Sequence, residues 1–196
     1  MAQSRENKTI SQFKSALIGG GARPNLFEVE LTTIPGGISW DADNFRYMCK
    51  AAQLPASNIA AIDIPFRGRI FKVAGDRTID TWTVTIINDE GFRLRQAFEE
   101  WTGLIARLQN NLGATNPESY MTNAKVFQLG RGSAKSSSDS TGDANAVLKE
   151  YEFVDIFPTT VGAIDLSYDT GDTIEEFDVE FQVQSYNIVA GNTPNG

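Results

Sequence analysis

The sequence predicts an α+β fold, an antiparallel β-sandwich or half-barrel with one helix packed against it. Three observations carry that expectation. Several runs alternate apolar and polar residues with the period of two that half-buried strands require, as where Trp82, Val84 and Ile86 interleave with Thr81, Thr83 and Thr85. One stretch, from about Glu90 to Gln109, instead sets Phe92, Leu94, Ala97, Phe98, Trp101, Leu104, Ile105 and Leu108 at helical spacing. Clusters of Gly, Pro, Asn and Asp separate these runs, and no internal repeat is visible.

At the start of the chain, Ile10, Phe13, Leu17 and Ile18 share one face of a short amphipathic helix, with Thr9 or Ser11 as its cap and Gly19–Gly21 as its stop. So short a helix is marginal alone and must dock on its own domain or on a neighbour. Asn25 to Thr33 reads as the first strand, with Phe27, Val29 and Leu31 inward and Glu28 and Glu30 outward, ended by Ile34-Pro35-Gly36-Gly37. A second strand is expected from Asn44 to Ala51, with Phe45, Tyr47 and Cys49 opposite Arg46 and Lys50. Ala51 to Ala61, alanine-rich and broken by Pro55, reads as a long loop leaving the sheet.

Ile62 and Ile64 lead through Pro65 to a tight turn at Arg67-Gly68-Arg69. The stretch from Arg67 to Glu90 is the centre of the chain. Arg69, Phe71 and Val73 alternate with Ile70 and Lys72, Ala74-Gly75-Asp76-Arg77 forms an elbow where the chain reverses or changes sheet, and the tryptophan–threonine strand follows. Asn88 and Asp89 offer capping oxygens to the long helix, in which Gly103 marks a close approach to a strand.

Beyond a polar connection from Asn110 to Tyr120, the run Ala124 to Leu129 lacks clean alternation, as a strand covered on both faces would. Residues 131–146, RGSAKSSSDSTGDANA, cannot bury a core and read as a flexible insertion between paired strands. Val147 to Phe157 is the next strand, ended by Pro158. Another is expected where Ile164, Leu166 and Tyr168 alternate with Ala163, Asp165 and Ser167, before a turn at Asp169–Asp172. In the last strand Phe177, Val179, Phe181 and Val183 face one way, while Glu176, Asp178, Glu180 and Gln182 face the other.

The chemistry is sparse. The 196 residues contain no histidine and one cysteine, which removes Ser/His and Cys/His nucleophilic systems, an intramolecular disulfide and the usual zinc sets. Asp169-Thr170-Gly171 spells the aspartic-protease triplet, but only once and in a turn. Gly130-Arg131-Gly132-Ser133 lacks the Gly-Lys-Ser/Thr of a phosphate loop, and Asp41 and Asp43 lack the other calcium-loop positions. No enzyme activity, cofactor or metal is expected. Cys49 reads as a small buried hydrophobe. Seventeen basic against 25 acidic residues, net −8, argues against a protein that grips nucleic acid by its phosphates. No run approaches the ~18 apolar residues of a membrane span. The N-terminus lacks a signal-peptide core, so a cytoplasmic site of synthesis is expected.

Three longer phrases, VAGDRTIDTWTVTIINDE from Val73, ARPNLFEVEL from Ala22 and CKAAQLP from Cys49, resemble the tail tube proteins of T4-like contractile-tailed bacteriophages. The correspondence runs from about Ala22 to the region of Tyr186, with a gap. It implies an N-terminal arm at 1–21, a tube domain at 22–188 containing the 131–146 insertion, and a C-terminal tail at 189–196. It further implies a structural subunit whose copies close into hexameric rings, their sheets joining as a continuous β-barrel. Stacked rings would enclose a channel through which double-stranded DNA passes without specific binding. Tail sheath, baseplate and tail terminator proteins would be partners, in a virion tail assembled in the host cytoplasm.

Under that resemblance the long loop contacts other subunits through Leu54, Pro55 and Ile59, and the arm through Phe13 and Leu17. Glu176, Asp178 and Glu180 are candidates for the channel wall, where phosphate repulsion would replace binding. A tube subunit of a DNA-free contractile injection system fits the same features. A soluble hydrolase or binding module is the alternative of another class, and it would never form rings. Exposed strand edges are hazardous in a monomer, and closing them against the next copy removes the hazard.

Overall fold

The computed structural model describes residues 9–17, 21–110, 112–130, 147–169 and 171–189. The expected insertion at 131–146 and all of the expected tail but Val189 lie outside them. In chain order the elements are α1 (Ile10–Ala16), β1 (Phe27–Glu30), α2 (Ala42–Met48), β2 (Cys49–Ala52), β3 (Ser57–Phe66), β4 (Arg69–Ile79), β5 (Trp82–Ile87) and α3 (Arg93–Ile105). After a 3-10 turn at Pro117–Ser119 come β6 (Thr122–Leu129), β7 (Val147–Val161), β8 (Glu176–Gln182) and β9 (Ser185–Val189). Seven strands form one sheet in the order β1-β6-β7-β8-β5-β2, with β9 on β7, and β3 and β4 pair as a separate hairpin. The expected α+β class with antiparallel pairing is what forms.

The chain clusters into two compact units. In the smaller (Met1–Glu28, Val126–Glu150, Ile188–Gly196), Gln128 Nε2 donates to the carbonyls of Arg23 and Leu26 at 2.8 and 2.7 Å, and the Leu129 amide donates to Leu26 at 2.9 Å. Thr9, not Ser11, caps α1, in a reciprocal capping box with Gln12.

The larger unit (Val29–Lys125, Tyr151–Asn187) holds most of the core. Its centre is a register match: Trp82, Val84 and Ile86 of β5 lie opposite Phe181, Val179 and Phe177 of β8, and all six are buried. Over this stripe lies α3, with Leu94, Ala97, Phe98 and Trp101 buried. Phe98 sits among Trp40, Phe45, Phe177 and Phe181 at ring separations of 5.4 to 6.4 Å.

Several local expectations are corrected. Residues 42–48 are helical: the Asp41 side chain accepts from the Asn44 amide at 3.0 Å, and Phe45 and Cys49 lie one helical turn apart. Phe45 and Cys49 are buried as expected, but Tyr47 is 80% exposed. Residues 51–61 are no continuous loop, since only 53–56, around Pro55, lie between β2 and β3. The expected elbow at 74–77 is a bulge within an unbroken β4, where the register shifts between Ile59 and Ala61. A Cβ on Gly75 would lie 3.1 Å from the Ala60 carbonyl oxygen and 3.0 Å from Ile62, so Gly75 permits close approach and not reversal.

The long helix is shorter than its periodicity. It starts at Arg93 after Phe92, which has φ 52° and no side-chain cap, and Asp89 accepts from the Arg93 amide at 3.1 Å. Leu108 lies beyond its end, fully exposed. Gly103 marks no close approach, because its Cβ would meet nothing within 4 Å. Pro158 does not end β7, which absorbs it at a register shift between Pro158 and Thr160. No strand forms at 163–168, and a further strand, β9, follows β8.

Candidate functional site

The β3–β4 hairpin is exposed along nearly its whole length. Every residue of β3 is exposed, as is β4 apart from Gly75 and Ile79. Its turn is Arg67–Gly68, with φ of 46° and 81°, the doubly positive pair of a tight hairpin. The register places Ile62 opposite Val73, Ile64 opposite Phe71 and Phe66 opposite Arg69 on one face. The other face pairs Ala61 with Ala74, Asp63 with Lys72 and Pro65 with Ile70, and Lys72 Nζ lies 2.8 Å from Asp63 Oδ1. The hairpin is therefore apolar on both faces, with a stripe of Ile62, Ile64, Phe66, Phe71 and Val73 on one and Ala61, Ala74, Pro65 and Ile70 around the Asp63–Lys72 pair on the other. Ile62, Ile64, Phe66, Ile70 and Phe71 are each between 46% and 65% exposed, too much large apolar surface to be explained as scatter.

Among the expected contact residues, Ile59 belongs to this hairpin and is exposed. Leu54 and half-buried Pro55 sit at its base, lining a shallow cleft with Ile79, Asp80 and Gln182. The base is pinned by the Asp80 amide on the Ala56 carbonyl at 3.0 Å and by Asn58 Nδ2 on Asp80 Oδ1 at 2.9 Å. Phe13 of α1 and Leu17, which follows it at its C-cap, are exposed, and α1 buries no residue. The apolar stripe itself was missed in the sequence. Its signal was present as two apolar runs placed symmetrically about Arg67–Gly68, with apolar residues at both parities where a half-buried strand would show one.

The three carboxylates of β8 come together as expected, alternating with buried Phe177, Val179 and Phe181. On β5, Ile87, Thr85 and Thr83 stand opposite Glu176, Asp178 and Glu180. The face is not uniformly anionic. Lys50 Nζ lies 2.6 Å from Glu176 Oε1, and the Thr85 hydroxyl donates to Asp178 Oδ1 at 2.7 Å. Glu180 is exposed, and its backbone carbonyl accepts from Thr159 Oγ1 at 3.1 Å.

Residues 22–189 match the family model for phage tail tube proteins. The chain belongs to the phage tail tube protein family. It is 39% identical over 161 residues to tail tube protein gp19 of Enterobacteria phage T4 and 38% identical to that of Enterobacteria phage T6, spanning 82% of this chain and 88% of each relative. Among solved structures, it aligns with a chain of the sheath–tube complex of an extracellular contractile injection system in its extended state (TM-score 0.59, 12% identity, 94% of this chain and 99% of that one). It also aligns with a chain of the anti-feeding prophage tube-terminating cap (TM-score 0.57, 15% identity, 97% and 99%). At such identities these two likenesses concern the tube fold alone, while the relatives in the phages fix the family.

Proposed function

We propose that this tail tube protein is the repeating subunit of a contractile phage tail. Copies close into hexameric rings whose sheets join as one barrel, and the rings stack into a conduit for double-stranded DNA. The observation that carries this reading is the β3–β4 hairpin, a long, ordered, apolar element with its stripe uncovered on a single chain. Docked on neighbouring copies, the stripe and the strand edges leave water together. The role is structural, without a catalytic centre. Sheath, baseplate and terminator proteins are the partners, as in the complexes that contain its structural likenesses, and assembly takes place in the host cytoplasm. A DNA-free injection tube would share the fold, but 39% identity to a phage protein against 12% to an injection-system chain favours the phage role.

Within this reading Glu176, Asp178 and Glu180 face the channel. Net charge −8 suits a wall that repels phosphate, so that DNA slides without gripping. Negative-stain microscopy of the purified chain tests assembly: rings or tubes are expected, and a monomer under every assembly condition overturns it. Replacing all three carboxylates with Lys is expected to leave tubes intact and to slow DNA release. Unchanged ejection kinetics would place the β8 face elsewhere.

A further inference from the structure

The tip of the hairpin and residues 165–169 and 171–174, between β7 and β8, are opposite in charge and alike in being exposed. At the tip Arg67 lies over the Phe66 ring, 5.4 Å from its centroid, with Arg69, Ile70 and Phe71 beside it. Asp63 neutralises Lys72 within the hairpin, which leaves the two arginines as the charge of the tip. Between Gly162 and Glu175 the sequence has no Lys or Arg but has Asp165, Asp169 and Asp172, all exposed. Interleaved with them are Leu166, Tyr168 and Ile174, exposed at 79%, 109% and 71%. Glu175 is excluded from this set because Asn88 Nδ2 holds it at 3.0 Å.

We infer that the Arg67/Arg69 tip of one copy docks on the surface formed by Asp165, Leu166, Tyr168, Asp169, Asp172 and Ile174 of a second copy. Both surfaces are exposed on the same chain, so neither covers the other within it. Tip-to-tip pairing of two copies would set arginine against arginine, and loop-to-loop pairing would set aspartate against aspartate. Only the crossed arrangement joins unlike charges around apolar side chains. Made once between each pair of copies, such a contact is heterologous, and its repetition generates rings or stacks. The hairpin carries the tip away from its base: ten residues of β3 at about 3.3 Å each extend roughly 30 Å. This inference rests on the tube-subunit reading and names the two surfaces that it joins.

Charge exchange tests it. One chain carries Arg67→Asp and Arg69→Glu, with Asp chosen at 67 because it tolerates positive φ. A second carries Asp169→Lys and Asp172→Lys, and a third carries all four changes. Each double variant is expected to raise the concentration needed for assembly by at least about tenfold, and the fourfold variant to assemble like the unsubstituted chain. Assembly of both double variants at the unsubstituted concentration would overturn the pairing while leaving the tube reading intact. Failure of the unsubstituted chain to assemble would overturn both. As a second readout, a short bis-maleimide should join an Arg69→Cys chain to an Asp172→Cys chain, Cys49 being buried, and absence of that mixed product in assembled tubes also overturns the pairing.

Discussion

Lys50 Nζ lies 2.6 and 2.8 Å from the two carboxylate oxygens of Glu176, a forked contact between β2 and the start of β8. Both side chains are partly exposed, at 53% and 34%, so water and salt screen the pair and its contribution to stability is at most about 1 kcal/mol. Its consequence is for charge, because it cancels one of three acidic positions on the face assigned to the channel. Lys50→Met is therefore expected to leave the urea midpoint almost unchanged. In assembled tails it should make DNA release at low salt as fast as before or faster. Slower release would show that Glu176 does not face the DNA.

Gly162 crosses β8 at close quarters: its amide donates to the Asp178 carbonyl at 2.7 Å, and a Cβ there would stand 2.9 Å from the same oxygen. The obstacle is backbone, which cannot swing aside. Gly162→Ala should cost about 1–3 kcal/mol, as overpacking does, read as a lower denaturation midpoint. Gly103→Ala, with open space around its Cβ, should be neutral or stabilising by up to about 1 kcal/mol in the same assay.

The contrast between these glycines shows where the sequence was legible. The β5 and β8 stripes were readable because a period of two with one apolar parity has a single solution, and the structure pairs them in register. The face of α3 was readable for the same reason at a period of 3.6, although its end was not, since Leu108 continues the pattern beyond the last turn. Residues 42–48 misled because Phe45, Tyr47 and Cys49 fit alternation while Phe45 and Cys49 also fit one helical turn. The Asp41 cap decides between them. The β3–β4 hairpin was half legible: its turn was evident, but the exposed apolar residues of its two strands look like core residues in the sequence. The acidic alternation of β8 was plain, whereas its partial neutralisation by Lys50, 126 residues away, needed the tertiary structure.

Cys49 is 8% exposed, and desolvation pushes its thiol from 9.0 up to about 12. Its Sγ–H donates to the Ala51 carbonyl at 3.6 Å. The folded thiol should react with maleimide at pH 8 far more slowly than the same chain in urea. Between pH 9 and about 12 the unfolded chain releases this proton while the folded chain keeps it, so stability falls with rising pH across that window. Cys49→Ala should remove this part of the alkaline loss. Identical alkaline profiles for the two chains would show the thiol to be accessible.

Trp101 and Trp82 are both fully buried in the larger unit, yet they should respond differently to the loss of the indole. Trp101 Nε1 donates to the Tyr120 carbonyl at 2.7 Å, tying α3 to the 3-10 turn that precedes β6, and its ring lies 5.9 Å from Phe181 and 6.3 Å from Phe98. Trp82 Nε1 has no hydrogen-bond partner among the described residues, and its ring lies tilted against Phe153 at 4.9 Å and Phe181 at 5.1 Å. Trp101→Ala should cost about 3–5 kcal/mol from cavity formation. Trp101→Phe keeps most of the ring but strands the Tyr120 carbonyl, adding about 1–3 kcal/mol. Trp82→Phe gives up no hydrogen bond and relieves an unsatisfied donor, so it should cost less than Trp101→Phe. Urea unfolding of the three variants measures all of these, and equal costs for the two Phe replacements would remove the Tyr120 contact from the account.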